Sequence, residues 1–263
     1  MDYFVNPDSV VRRIWGKADT VLFIFAGSAA EFALNKAVDW LYFTGKLPAD
    51  PLGRLFSTVE YARRIIFAER AAAEQAIDTI AGIHAAVEAK RGMRIPDWAY
   101  RDVLFMLTAY SIRVFEAIER PLTAAEKAEI VDVFYRLGRR MGISEVPATY
   151  AAWQLAREAH LKNDLVVSAY TTDLYRQYRR HLGALRYELV LQAQRFVVPG
   201  RVRALLGLGR WSWLPLALPL YWPTQHLALG RWARTSLMPA RYRAQILALD
   251  QAPALGLGRP VGA

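Results

Sequence analysis

Apolar residues recur at intervals of three and four through nearly every segment of this chain, and nowhere do they alternate with polar residues over a useful length. A spacing of three and four puts side chains on one face of a helix, whereas a strand needs a period of two. The clearest run opens at Pro96 and Asp97 and continues to about Glu119, its face marked by Leu104, Leu107, Ser111, Val114, Phe115 and Ile118. Start and stop signals divide the rest. Asp8 or Ser9 can cap a short first helix that ends near Gly16. A buried helix is expected from about Thr20 to Phe43, before Gly45 and Pro48. Two more come next, at about 51–69 and 71–90. Thr123 and Glu126 have the spacing of a capping box, and the helix they open should stop at Gly142. Helices over 148–160 and 164–195 complete the series. With no hairpin turn pair and no internal repeat, the predicted fold class is all-α, a single multi-helix domain.

Length and composition agree. A chain of 263 residues with 54% apolar content can bury a sizeable core. Val21 to Ala30 is strongly apolar, but Glu31, Lys36 and Asp39 come within the next three turns, and a spanning helix needs about 20 mostly apolar residues. It reads as a core helix. Trp211 to Trp222 is shorter still and holds Pro215 and Pro219. The N-terminus has no basic stretch leading into an apolar run and a cleavage site, so a cytoplasmic location is expected.

The chain has no cysteine. Thiolate-ligated haem, c-type haem attachment, iron–sulfur clusters and zinc ribbons are therefore excluded. The soft nitrogen ligands are His84, His160, His181 and His226, and none forms an HExxH or similarly spaced pair. His84 stands apart. Ile77, Ile80, His84 and Val87 share one apolar helix face, so its imidazole points among core residues. On the preceding helix Arg54 and Thr58 are four apart and share a face with Tyr61. A guanidinium, a hydroxyl and an inward imidazole could frame a buried cofactor. The ordinary reading is a core histidine bonded to a backbone carbonyl and a threonine bonded back to its own helix.

The segment Asp50–His84, together with several stretches C-terminal to it, resembles the rubber oxygenase (latex-clearing protein) and MpaB-type haem oxygenase family. The resemblance rests on DPLGR then T (Asp50, Pro51, Gly53, Arg54, Thr58), IH (Ile83, His84), ERPLTAAEK (Glu119 to Lys127), MGISEVPAT (Met141 to Thr149) and PGRVRALLGLG (Pro199 to Gly209). It spans residues 1–245 as one helical catalytic domain and leaves 246–263 as a tail expected to be poorly ordered. The resemblance implies a non-covalent haem b, with iron held by His84 from the proximal side and Arg54 and Thr58 on the distal side. It also implies an oxygenase that uses O2 on a small apolar, olefinic or isoprenoid-like substrate. That substrate would lie in a pocket lined partly by the helix from Phe23 to Phe43. Departures bear on the substrate. Rubber-cleaving members carry a lysine where this chain has Ser57, and many relatives have a His-Pro pair where it reads Leu34 to Val38. Asp39 is the acid nearest the place of the family's distal carboxylate.

The other histidines suit the role less. His160 closes a polar stretch and His181 sits among arginines, so a solvated or helix-terminal role is expected for both; His226 is the fallback ligand. Charge is the second uneven feature. Residues 1–170 hold 21 basic and 21 acidic residues, while residues 171–263 hold 13 and 3, every basic one an arginine. With Trp211, Trp213, Trp222 and Trp232 interleaved, this third can cover helix seams, touch anionic lipid peripherally, or pair with haem propionates. No helix-turn-helix, RNP or zinc motif supports nucleic-acid binding. Two other classes stand beside the oxygenase: a haem carrier or sensor without turnover, and a cofactor-free basic scaffold docking on acidic membranes.

Overall fold

The computed structural model describes residues 2–221, together with Ala244 and Leu249. The described residues form helices with no strand: α1 (Val10–Trp15), α2 (Ala18–Phe32), α3 (Val38–Phe43), α4 (Lys46–Ala49), α5 (Pro51–Phe67), α6 (Arg70–Arg91), α7 (Asp97–Ile118), α8 (Ala124–Arg140), α9 (Tyr150–Asn163), α10 (Ala169–Val197), α11 (Gly200–Leu205) and α12 (Leu214–Tyr221). Local chemistry sets their starts. Ser9, Asp50, Thr123, Thr149 and Ser168 each accept a backbone N–H of the first turn, and Thr123 with Glu126 completes the expected capping box. The chain from Ala33 to Ala37 departs from the expected single helix between Thr20 and Phe43. There Asn35 accepts the Ala37 N–H at 2.8 Å, and the Val166 N–H donates to Leu34 at 2.8 Å, so side chain and partner segment take over the helix's bonds.

α7 is the central element. Most of its faces are buried, from Ala99 to Ile118, against α2, α8, α9 and α10. α2 lies closest, because Gly27 has no side chain to hold off the Tyr110 ring. Phe23, half-buried on α2, packs edge-on against Phe196 of α10. α5 and α6 form an antiparallel pair on one flank, joined through Ala68 and Glu69. The turn is pinned to the N-terminus, where the Arg70 N–H donates to Asp2 at 2.9 Å. No described helix is long and apolar enough to cross a membrane.

Candidate functional site

Asp50 caps α5 by accepting the Gly53 N–H at 3.0 Å, and Pro51 fixes its first turn, so Arg54 is one turn in. The Arg54 guanidinium donates to Ser57 Oγ at 3.2 Å. No carboxylate pairs with it among the described residues, and burial holds its pKa below the arginine range against the opposing influence of Tyr61. Ser57 and Thr58 both donate their hydroxyl protons back to the Arg54 carbonyl, at 2.9 and 3.1 Å. For Thr58 this is the ordinary helix-bound arrangement: its oxygen keeps lone pairs, but its proton is engaged.

α6 brings His84 to the same seam. Ile77 is fully buried, and Ile80, His84 and Val87 continue along the same face, half-buried, as their spacing predicts. His84 Nδ1 is buried without a hydrogen-bond partner. Burial, and then the positive charge of Arg54, push its pKa down to about 4, with Glu88 opposing. The imidazole is thus neutral at physiological pH, the state in which it offers a lone pair. Tyr100 of α7 meets it edge-on, ring centroids 5.1 Å apart, and is itself held by donating to Glu88 at 3.1 Å. An apolar cluster of Ala37, Trp40 and Ala99 with Val87, Ile95 and Trp98 begins one turn beyond His84. Asp39 is not free to act here, because Arg91 pairs with it at 2.6 Å while stacking over Trp40.

The two cavities described lie elsewhere. The larger, about 460 Å³, opens at the surface between Asp2, Phe4, Arg70 and Arg136, and the smaller lies between α7, α8 and Trp153. Neither borders His84, Arg54 or Thr58, and the enclosed haem pocket expected from the sequence is not among them. The residues nonetheless fit a haem in their chemistry: a neutral, unbonded imidazole nitrogen for iron and an uncompensated cation for an anionic group.

A second polar cluster was missed in the sequence. Glu31 of α2, fully buried, receives Arg157 of α9 on both oxygens (Nη2 at 2.5 Å), Tyr110 at 3.0 Å and His160 Nε2 at 2.9 Å. Burial raises the Glu31 pKa, but Arg157 and His160 more than offset this and hold it at about 2. His160 is therefore neither solvated nor a simple helix end, contrary to expectation. Burial opposes its charged form, yet Asp102 and Glu31 keep its pKa above the ordinary histidine value. A signal existed. Glu31 interrupts an otherwise apolar helix, and Arg157 and His160, three apart, share one face of α9. His181 lies half-buried on α10, and His226 falls outside the described residues.

Residues 12–245 match the family described as "ER-bound oxygenase mpaB/B'/Rubber oxygenase, catalytic domain". No curated protein and no solved structure matches the chain.

Proposed function

The chain belongs to the family of ER-bound oxygenases mpaB/B' and rubber oxygenases, and from that premise we propose a haem b-dependent oxygenase acting with O2 on an apolar, olefinic or isoprenoid-like substrate, His84 being the proximal iron ligand. The observation that carries this reading is that Arg54 of α5 and His84 of α6 lie near enough for the arginine's charge to lower the histidine's pKa. Among the described residues, the histidine has a buried nitrogen without a hydrogen-bond partner and the arginine a guanidinium without a carboxylate. A buried polar atom left unbonded costs about 1–3 kcal/mol. A ligand offering both a Lewis-acidic centre and negative charge relieves both defects at once.

When bound, haem supplies the iron at which dioxygen is activated and from which oxygen reaches the substrate. The chain's own part is positional and electrostatic. His84 stays unprotonated because burial and Arg54 disfavour its charged form. Tyr100, fixed by Glu88, sets the imidazole plane through its edge contact. Arg54 would supply positive charge to stabilise an anionic group of the bound cofactor or of the oxygen it carries. Thr58 donates there only by releasing the Arg54 carbonyl. Trp40, Val87 and Trp98 give the neighbouring space an apolar wall suited to a hydrocarbon chain. We further place peripheral contact with anionic lipid on the C-terminal third, where Trp211 and Leu216 are exposed beside Arg201 and Arg210.

The test of turnover is product analysis. Haem-loaded protein is incubated under O2 with a panel of isoprenoids and fatty olefins, beside Arg54→Ala. Oxygenated or cleaved product from the wild type, reduced about 100-fold or more in the variant, supports the reading. Haem-loaded protein that forms no product from any panel member contradicts turnover and leaves a carrier or sensor.

A further inference from the structure

The end of α9 carries a group of donors that the oxygenase reading does not use. Asp102 of α7, His160 in the last turn of α9 and Asp164 at its C-cap each bring one donor atom within 4.8 Å of the other two. His160 Nδ1 lies 2.5 Å from Asp102 Oδ1 and 3.7 Å from Asp164 Oδ2. Asp102 and His160 are buried, and the Asp164 side chain is 27% exposed, so the group reaches solvent on one side.

Each member is held from outside the group. His160 Nε2 is engaged by Glu31, itself anchored by Arg157 and Tyr110. Asn35 donates to the far oxygen of Asp102 at 2.7 Å. The Asp164 backbone is tied to the turn after α2, where the Lys36 N–H donates to its carbonyl at 3.0 Å and Asn35 bridges Leu165. This is the arrangement in which an outer carboxylate fixes the tautomer and direction of a ligating imidazole.

The inward-facing atoms are less well met. His160 Nδ1 is buried and meets no well-aligned hydrogen bond, but it lies 2.5 Å from Asp102 Oδ1 as an ion pair, so a cation would bind there in place of the Nδ1 proton. The Asp164 carboxylate accepts no hydrogen bond among the described residues, and its nearest partner is that same Nδ1. Arg157 neutralises Glu31, which leaves two further carboxylates facing one imidazole. Their crowding is felt at Asp164, whose pKa burial and the Asp102 charge raise against the opposing influence of His160, Lys36 and Arg101.

We propose that Asp102, His160 and Asp164 bind a divalent transition-metal cation of the zinc or manganese type, with water completing its coordination. One imidazole nitrogen and two carboxylate oxygens suit such a borderline cation. Bonds of about 2.0–2.2 Å to each donor set the donors about 3–4 Å apart. The short His160–Asp102 contact must therefore open, and Asp164, the exposed member, must swing inward. The bound cation would clasp the end of α9 to α7, at a place separate from His84 in sequence and in partners.

The full-length protein, stripped with a chelator, is titrated calorimetrically with Zn²⁺, and the metal retained after gel filtration is counted by elemental analysis. The expected result is one zinc per chain in the wild type and in His84→Ala, with or without haem. Asp164→Asn, whose fold is checked by circular dichroism, should bind at least about tenfold more weakly; His160→Gln serves as the second variant. A wild type that retains no zinc overturns the site. So does Asp164→Asn binding as tightly as the wild type, which would mean that zinc binds elsewhere.

Discussion

Glu31 and His84 are both polar groups set among apolar helices, yet Glu31 is bonded on every side while His84 is nearly bare. Around Glu31, Arg157, His160 and Tyr110 arrive from two helices, and the carboxylate stays charged in spite of complete burial. Among the described residues, the close polar influences on His84 are a positive charge that repels its protonated form and a glutamate already committed to Tyr100 and Ile95. The first region uses buried charge to lock α2, α7 and α9 in register. The second leaves polar capacity unspent beside an apolar wall, which is what a ligand site requires.

Breaking the first region should give the largest effect. Arg157→Met strands the Glu31 carboxylate in the core and should cost about 3–5 kcal/mol in urea unfolding. The same pair makes the wild type acid-sensitive in a definite window. Because the folded-state pKa of Glu31 is depressed to about 2, its contribution is full above the ordinary value of 4.5 and is lost as pH falls toward 2. That decline should be shallower in Arg157→Met, where Glu126 and the other lowered carboxylates still contribute to it. A smaller effect is expected at Gly27. Its Cβ would overlap the Tyr110 ring and come within 2.9 Å of Val197 Cγ2, so Gly27→Ala should lower stability by about 1–3 kcal/mol, measured by thermal unfolding.

The second region should respond least in stability. His84→Leu replaces an unbonded polar ring with apolar volume and should change the stability of haem-free protein at neutral pH by less than about 1.5 kcal/mol. It should also remove a pH slope. The unfolded chain protonates His84 near 6.5 and the folded one only near 4, so the wild type loses stability as pH falls between those values. A His84→Leu variant that keeps this slope would show that another group titrates there.

Helical spacing and caps make most of the fold legible in the sequence: Ser9, Thr123 and the Pro96–Asp97 start all stand where their chemistry puts them. The break at Ala33–Ala37 was not legible, because it depends on Asn35 and on a pairing with Leu165 that is distant in sequence. The same limit hid the Glu31 network. Spacing put Arg157 and His160 on one face of α9, but not what that face meets. His84 could be singled out because its neighbours at threes and fours are apolar. That no described carboxylate pairs with Arg54 and that Asp39 is taken by Arg91 are facts of tertiary packing alone.

The most direct test of the central claim is an absorption spectrum of the purified protein, expressed with haem supply, beside His84→Ala. A Soret band in the wild type, lost or shifted in the variant while both keep the same helical content, is the predicted result. A wild type that stays colourless after haem reconstitution, or a band unchanged by His84→Ala, would contradict it.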